Sequence, residues 1–178
     1  LILPSYPASR DICAIGGIVN NNSGGEKTLR YGKTERYVES LTMVLADGKE
    51  YEFSKISQKE LKKKMAQKNF EGQIYKQMFA LINDNYDLIH QAKPNVTKNS
   101  AGYYLWNVYD KEAKTFDIAK LIVGSQGTLG LMTKVKLKLI HPKKFSKLLI
   151  VFIKDLSLVS TLSSVILPFN PESLETYD

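Results

Sequence analysis

The chain is poor in the residue types that build common metal and nucleophile sites. Its 178 residues include one cysteine, Cys13, and two histidines, His90 and His141. A single cysteine excludes an intramolecular disulfide and a multi-cysteine zinc site. It suits a reducing compartment, so a cytoplasmic protein is expected. The histidines stand far apart with no motif beside either, which gives no support to a histidine metal site or a Ser-His-Asp triad. No apolar run reaches bilayer-spanning length; the longest candidate, residues 148–153, is strand-sized. The start, Leu1-Ile2-Leu3-Pro4, has no basic region, so no secretion signal is expected. The lack of a leading Met reads as the interior of a longer chain.

Acidic residues are the minority charge: 18 Asp and Glu against 25 Lys and Arg, a net charge of +7. A basic surface suits an anionic cofactor or substrate. Nucleic-acid binding is the other reading of that sign. The lysines are dispersed, however, and the longest run, Lys62-Lys63-Lys64, sits in a helix-like segment where a solvated face explains it. Hydrophobic residues make up 43% and charged residues 24%, enough apolar surface for a substantial core.

Periodicity separates the elements. Residues 1–11 hold Pro4 and Pro7 and read as extended loop. Residues 12–19 read as a short helix or turn entered from Asp11, a candidate cap. Residues 37–45 and 51–53 form a hairpin around Ala46-Asp47-Gly48, since Asp-Gly favours a tight turn. Ser57 and Glu60 have capping-box spacing. Ile74, Met78, Leu81, Ile82 and Ile89 repeat on one helical face, so the spacing predicts two helices, within 57–67 and 70–90, ended by Pro94. Residues 101–109 are aromatic and ambiguous, and 118–123 are a short helix or a strand. Residues 131–140 alternate, with Leu131, Thr133, Val135, Leu137 and Leu139 on the apolar face of a half-buried strand. A strand over 148–153, a helix over 155–167 and a strand over 172–177 complete the expectation, as a β-α-β unit cut off where it closes.

Glycine is concentrated in two places. One run is Ile15-Gly16-Gly17-Ile18-Val19-Asn20-Asn21-Asn22-Ser23-Gly24-Gly25; the other is Gly124-Ser125-Gln126-Gly127-Thr128-Leu129-Gly130. Such density marks close backbone approach or positive φ. Bare amides in such bends suit phosphate. Neither run has the Rossmann or phosphate-loop spacing, so by composition alone each is either a tight turn or half of a cradle.

Their order carries more. Ile15-Gly16-Gly17 and Asn22-Ser23-Gly24-Gly25 come first, then Arg30-Tyr31-Gly32 and Val44-Leu45-Ala46-Asp47-Gly48. Leu121-Ile122-Val123-Gly124-Ser125-Gln126-Gly127-Thr128-Leu129-Gly130 closes the series. This series resembles the FAD-linked oxidases with a flavin domain of the vanillyl-alcohol oxidase and p-cresol methylhydroxylase (PCMH) type. Within them it is most similar to the D-lactate dehydrogenase, glycolate oxidase subunit and D-2-hydroxyglutarate dehydrogenase branch. The resemblance covers residues 4–142 apart from a divergent stretch at 54–98.

The resemblance implies an α+β chain: the second subdomain of a PCMH-type FAD-binding domain over 1–142, with a helical insert at about 54–98, and the truncated start of a ferredoxin-like, substrate-binding cap over 147–178. The first subdomain and the rest of the cap, with its metal site and catalytic histidine, lie outside this chain. The implied cofactor is FAD, and the implied function of the intact enzyme is oxidation of a D-2-hydroxy acid by hydride transfer to flavin. The chain itself then holds no catalytic set and no metal ligands. Ile15, Gly16 and Gly17 correspond to the diphosphate wall, and Asn20, Asn22, Ser23 and Gly24 to the phosphate, ribityl or ring region. Gly124, Gly127, Thr128 and Gly130 correspond to the second wall, with backbone groups of Leu131 and Met132 near the adenine. Gln126 replaces a glutamate usual in the family, which removes a charge. Tyr103 lies in a segment near the family's flavin. Arg30, Tyr31, Cys13 and Trp106 read as scaffold. The alternatives are a flavin oxidase of the same fold acting on another alcohol, a basic nucleic-acid-binding module, or a degenerate chain.

Overall fold

The computed structural model describes residues 1–96, 99 and 102–177; the end of the 54–98 stretch, Ala101 and Asp178 lie outside the described residues. The first helix, α1, runs Ile15–Asn20, and α2 is a single turn, Thr28–Tyr31. The hairpin forms as its turn signal requires: β1 (Val38–Val44) and β2 (Glu50–Ser54) pair antiparallel, with Val44 opposite Glu50. The short β3 (Ile56–Ser57) leads into α3 (Gln58–Met65). Ser57 accepts from the Glu60 amide and Glu60 accepts from the Ser57 amide, so both halves of the capping box are made.

Two further helices follow, α4 (Phe70–Asp84) and α5 (Tyr86–Gln91). The single face expected over 70–90 is therefore broken. Asn85 stands between them, and its Nδ2 donates to Leu81 O at 2.8 Å. A side chain that satisfies its own helix's last carbonyls competes with continuation. At the start of α1 the expected cap from Asp11 is not used: Ala14 holds the cap position and has no side-chain bond to give.

After the insert come β4 (Tyr109–Asp110), β5 (Thr115–Phe116), α6 (Ala119–Ile122) and β6 (Leu131–Leu137). Thus residues 118–123 are helical. The strands make two small antiparallel sheets, ordered β2-β1-β6 and β3-β5-β4. Helix α4 bridges them through aromatic rings. Tyr75 lies 6.3 Å from both Phe53 of β2 and Phe116 of β5, and Phe79 packs edge-on to Tyr109 of β4 at 5.5 Å. The mixed helix and sheet content is that of an α+β protein.

The alternation of β6 is interrupted. Thr42 pairs with Lys134, but Met43 pairs with Met132, so Thr133 is an extra residue. Such a bulge flips the faces on either side of it. Met132, Val135 and Leu137 pack on the core, while Leu131, expected inward, is 73% exposed.

Beyond residue 142 the expectation holds only for the helix, α7 (Leu158–Ile166). Residues 148–153 form no strand, and Leu148 and Phe152 are 85% and 94% exposed. Residues 172–177 form none either. An extended segment becomes a strand only with a neighbour for its amides and carbonyls. Among the described residues neither segment has a paired strand beside it. Residues 170–172 instead rest on α2. Arg30 Nη1 donates to Asn170 O at 3.0 Å, Tyr31 donates its hydroxyl to Glu172 at 2.7 Å, and Lys27 Nζ lies 3.5 Å from the same carboxylate.

Phe116 is fully buried and touches Tyr75, Phe79 and Tyr109. Phe116→Ala is expected to cost about 3–5 kcal/mol, read as a lowered urea midpoint. Asp117 is buried beside it and accepts from the Ala119 amide at 3.0 Å. Burial pushes its carboxyl above the usual range, opposed by Lys120. A raised carboxyl contributes stability that is full below the unfolded-state value and lost as pH rises through the folded one. Asp117→Asn keeps the acceptor and removes the buried charge. The variant is expected to exceed the natural chain in stability at pH 7, with the gap closing towards pH 4 in urea titrations.

Candidate functional site

The two glycine runs meet. Helix α1 ends at Asn20, and the second run folds back over that end: Gly124 donates its amide to Val19 O at 3.1 Å and Gln126 donates to Asn20 O at 2.9 Å. Gly124, Gln126 and Gly127 have positive φ of 88°, 57° and 76°. A Cβ on Gly124 would lie 3.3 Å from Asn22 Cβ, so the residue is glycine by contact and by conformation. The Gln126 side chain adds a bond from Nε2 to Asn21 Oδ1 at 3.1 Å. Here the amide donates, which a carboxylate at this position does not do.

The first run is held from below. Asn22 is buried at φ 44°; its Oδ1 accepts from the Glu35 amide at 2.9 Å and its Nδ2 donates to Glu35 Oε2 at 3.1 Å. The Ser23 carbonyl accepts from both the amide and the hydroxyl of Thr34, at 3.0 and 2.8 Å. Asn22 and Ser23 thus build the bend, and their side chains face the protein. Gly24 is packed against Thr28 Oγ1, which leaves no room for a side chain.

The upper surface is bare. Nothing lies within 4 Å of where a Cβ would stand on Gly16 or Gly17, and Ile15 is 45% exposed. The first bond into α1 is Ile18 N to Ala14 O, so the amides of Ile15, Gly16 and Gly17 have no acceptor within the helix. At the other end of α1, where the second run joins it, Asn20 Oδ1 and Ser125 Oγ are buried with no hydrogen-bond partner among the described residues. Buried polar atoms without partners call for a ligand or water. Free amides and absent side chains suit a phosphorylated group, and the Ser125 hydroxyl can donate to one.

The remaining candidate positions are placed differently. Thr128 bonds Ser125 O at 2.6 Å and the exposed Tyr103 hydroxyl at 2.6 Å, which ties the aromatic segment to the second glycine run. Gly130 is constrained by β1, since a Cβ there would sit 2.6 Å from Val44 O. Leu131 and Met132 open β6, a sheet-edge strand whose outward backbone groups β1 does not use. The Met132 side chain packs on the core.

Glu35, on which Asn22 depends, carries no local sequence signal, and neither do the carbonyls of Val19 and Asn20. Gly32-Lys33-Thr34 matches the tail of a phosphate loop. Lys27 stands where that motif needs its first glycine, and Lys33 is buried with Nζ 2.6 Å from Asn99 O. Among the described residues no group of three His, Cys, Asp or Glu is placed to hold a metal, and no helix is long and apolar enough to cross a membrane.

A family described as FAD binding domain matches residues 1–54. This part of the chain is FAD-binding-domain sequence, FAD is the cofactor indicated, and the family resemblance read from the glycine runs holds. Among its relatives is D-2-hydroxyglutarate dehydrogenase of Pantoea ananatis, 31% identical over 124 residues, covering 69% of this chain and 12% of that protein. Another is glycolate oxidase subunit GlcD of Bacillus subtilis, 28% identical over 180 residues, covering 100% and 27%. A third is D-lactate dehydrogenase of Archaeoglobus fulgidus, 28% identical over 139 residues, covering 78% and 19%. The chain spans little more than a quarter of the length of these relatives at most.

Gly124→Ala is expected to weaken FAD binding by the intact protein roughly tenfold, from about 1–2 kcal/mol of left-handed strain and the push on Asn22. Gly48, at φ 75° with open space around it, is the control. Gly48→Ala carries similar strain and is expected to leave flavin titration unchanged.

Proposed function

We propose that this chain is the second FAD-binding subdomain, residues 1–142, and the beginning of the substrate cap, residues 147–178, of a flavin-dependent oxidoreductase. The parent enzyme oxidises a D-2-hydroxy acid of the D-lactate, glycolate or 2-hydroxyglutarate type. The observation that carries this reading is the junction of the glycine runs through Gly124 and Gln126, beside orphaned Asn20 Oδ1 and Ser125 Oγ. The relatives' names and the family match over residues 1–54 supply the reaction class.

In this reading Ile15, Gly16 and Gly17 donate backbone amides to the diphosphate. Asn20, Asn22, Ser23 and Gly24 shape the floor, and Gly124, Gly127, Thr128 and Gly130 form the opposing wall. Leu131 and Met132 present backbone groups at the strand edge. FAD bound there supplies the two-electron acceptor for the hydride leaving the substrate α-carbon. The chain's own work is positional: it binds without adding competing cationic side chains at the bend, and it keeps the bend rigid through Glu35 and Thr34. The base for the hydroxyl proton belongs to the parts of the enzyme outside this chain.

The test is anaerobic mixing of the intact flavoprotein with D-lactate, glycolate, D-2-hydroxyglutarate, their L-isomers where these exist, and simple primary alcohols. Loss of the visible flavin band is expected with one of the hydroxy acids, and no turnover with the 178-residue chain alone. Bleaching by alcohols only, or an intact protein without a flavin band, overturns the reading.

A further inference from the structure

A second concavity backs onto the first glycine run. It is a groove of ≈ 180 Å³ lined among others by Thr28, Lys33, Arg36, Lys93, Tyr104 and Trp106. Thr28 is the residue against which Gly24 packs, so the groove and the glycine bend share a wall. Its charge is mainly basic, with Lys33, Arg36 and Lys93 against one carboxylate. Glu35 also lines it, but that carboxylate is engaged by Asn22 Nδ2 at 3.1 Å. Arg36 and Lys93 have no acidic partner among the described residues. Arg36 is also held in place: its guanidinium lies against Gly32, where a Cβ would collide with Nε. Arg36 also borders a neighbouring groove of mixed charge, where Lys55 and Lys120 stand with Glu35, Asp110 and Asp117.

One wall is aromatic. Tyr104 is buried and stacks on Trp106 at 5.0 Å with 25° between the rings. Size narrows the occupant. The groove's ≈ 180 Å³ is below the ~300–1,000 Å³ of pockets for larger ligands. A short aliphatic acid fits that volume. A held guanidinium recognises a carboxylate by its planar fork, and a lysine adds a point charge.

We propose that this groove binds the carboxylate end of a small aliphatic acid, with Arg36 and Lys93 as the anion-binding pair and Trp106 and Tyr104 as the apolar wall. That the acid is the enzyme's substrate rests on the functional reading above; the binding itself does not. Trp106 is the only tryptophan of this chain, so its emission reports on the groove. The experiment titrates the intact protein, stripped of flavin, with glutarate, and separately with inorganic phosphate at matched ionic strength, while following tryptophan fluorescence with Trp106→Phe as the blank.

A saturable change with glutarate is expected, and a much weaker one with phosphate. Arg36→Ala and Lys93→Ala are each expected to raise the half-saturating concentration about tenfold, as loss of a charge-assisted contact does. Arg36→Lys is expected to fall between. Far-UV circular dichroism checks that each variant is folded, and Lys93→Ala decides if Arg36→Ala is not. No saturable response, an equal response to phosphate, or an unchanged midpoint in the folded variants overturns the proposal. Because no flavin is involved, that failure is separate from a failure of hydroxy-acid oxidation.

Discussion

Two backbone hydrogen bonds set the character of this molecule: Gly124 N to Val19 O and Gln126 N to Asn20 O. They join segments about a hundred residues apart and turn two weak sequence signals into one surface. Main-chain amides and carbonyls make the junction, so few side chains are needed there. A bend made from backbone leaves the face above Gly16 and Gly17 open. The same geometry demands positive φ at Gly124 and Gly127 and places Gln126 at φ 57°, a conformation costly for a residue with a side chain. The strain is offset by the bonds of Gln126 to Asn20 O and Asn21.

Support for the first bend comes from a short helical turn between α2 and β1. Asn22 and Glu35 exchange two hydrogen bonds, and Thr34 gives two more to Ser23. Glu35 O in turn accepts from Lys120 Nζ, whose helix α6 leads directly into the second glycine run. Cradle and support therefore form a closed circuit: α1 to Glu35, Glu35 to α6, and α6 to Gly124.

Much of the fold was legible where the signal is local. The Asp47-Gly48 turn fixed the hairpin register, and Ser57 with Glu60 fixed the start of α3. What was not legible depends on partners distant in sequence. The inward face of β6 turned on where Met132 aligns with Met43, which alternation alone does not reveal. The break at Asn85 follows from one side chain reaching Leu81 O. Segments 148–153 and 172–177 have strand composition, yet composition supplies no neighbour. For the site, the glycine runs were visible because spacing and order are properties of the chain itself. Glu35, Arg36 and Lys93 were not, because each matters only through what the fold brings beside it.

The unpaired ribbon at 148–152 has a colloidal consequence. Leu148, Leu149, Ile150, Val151 and Phe152 are all large, apolar and 47–94% exposed, with no strand beside them among the described residues. Exposed apolar β-prone runs are templates for edge-to-edge association between chains. The +7 charge opposes that association by mutual repulsion, which salt screens beyond about 8–10 Å. The solubility of this polypeptide is thus governed by ionic strength and by what shields one five-residue stretch, independently of how well the glycine junction is made.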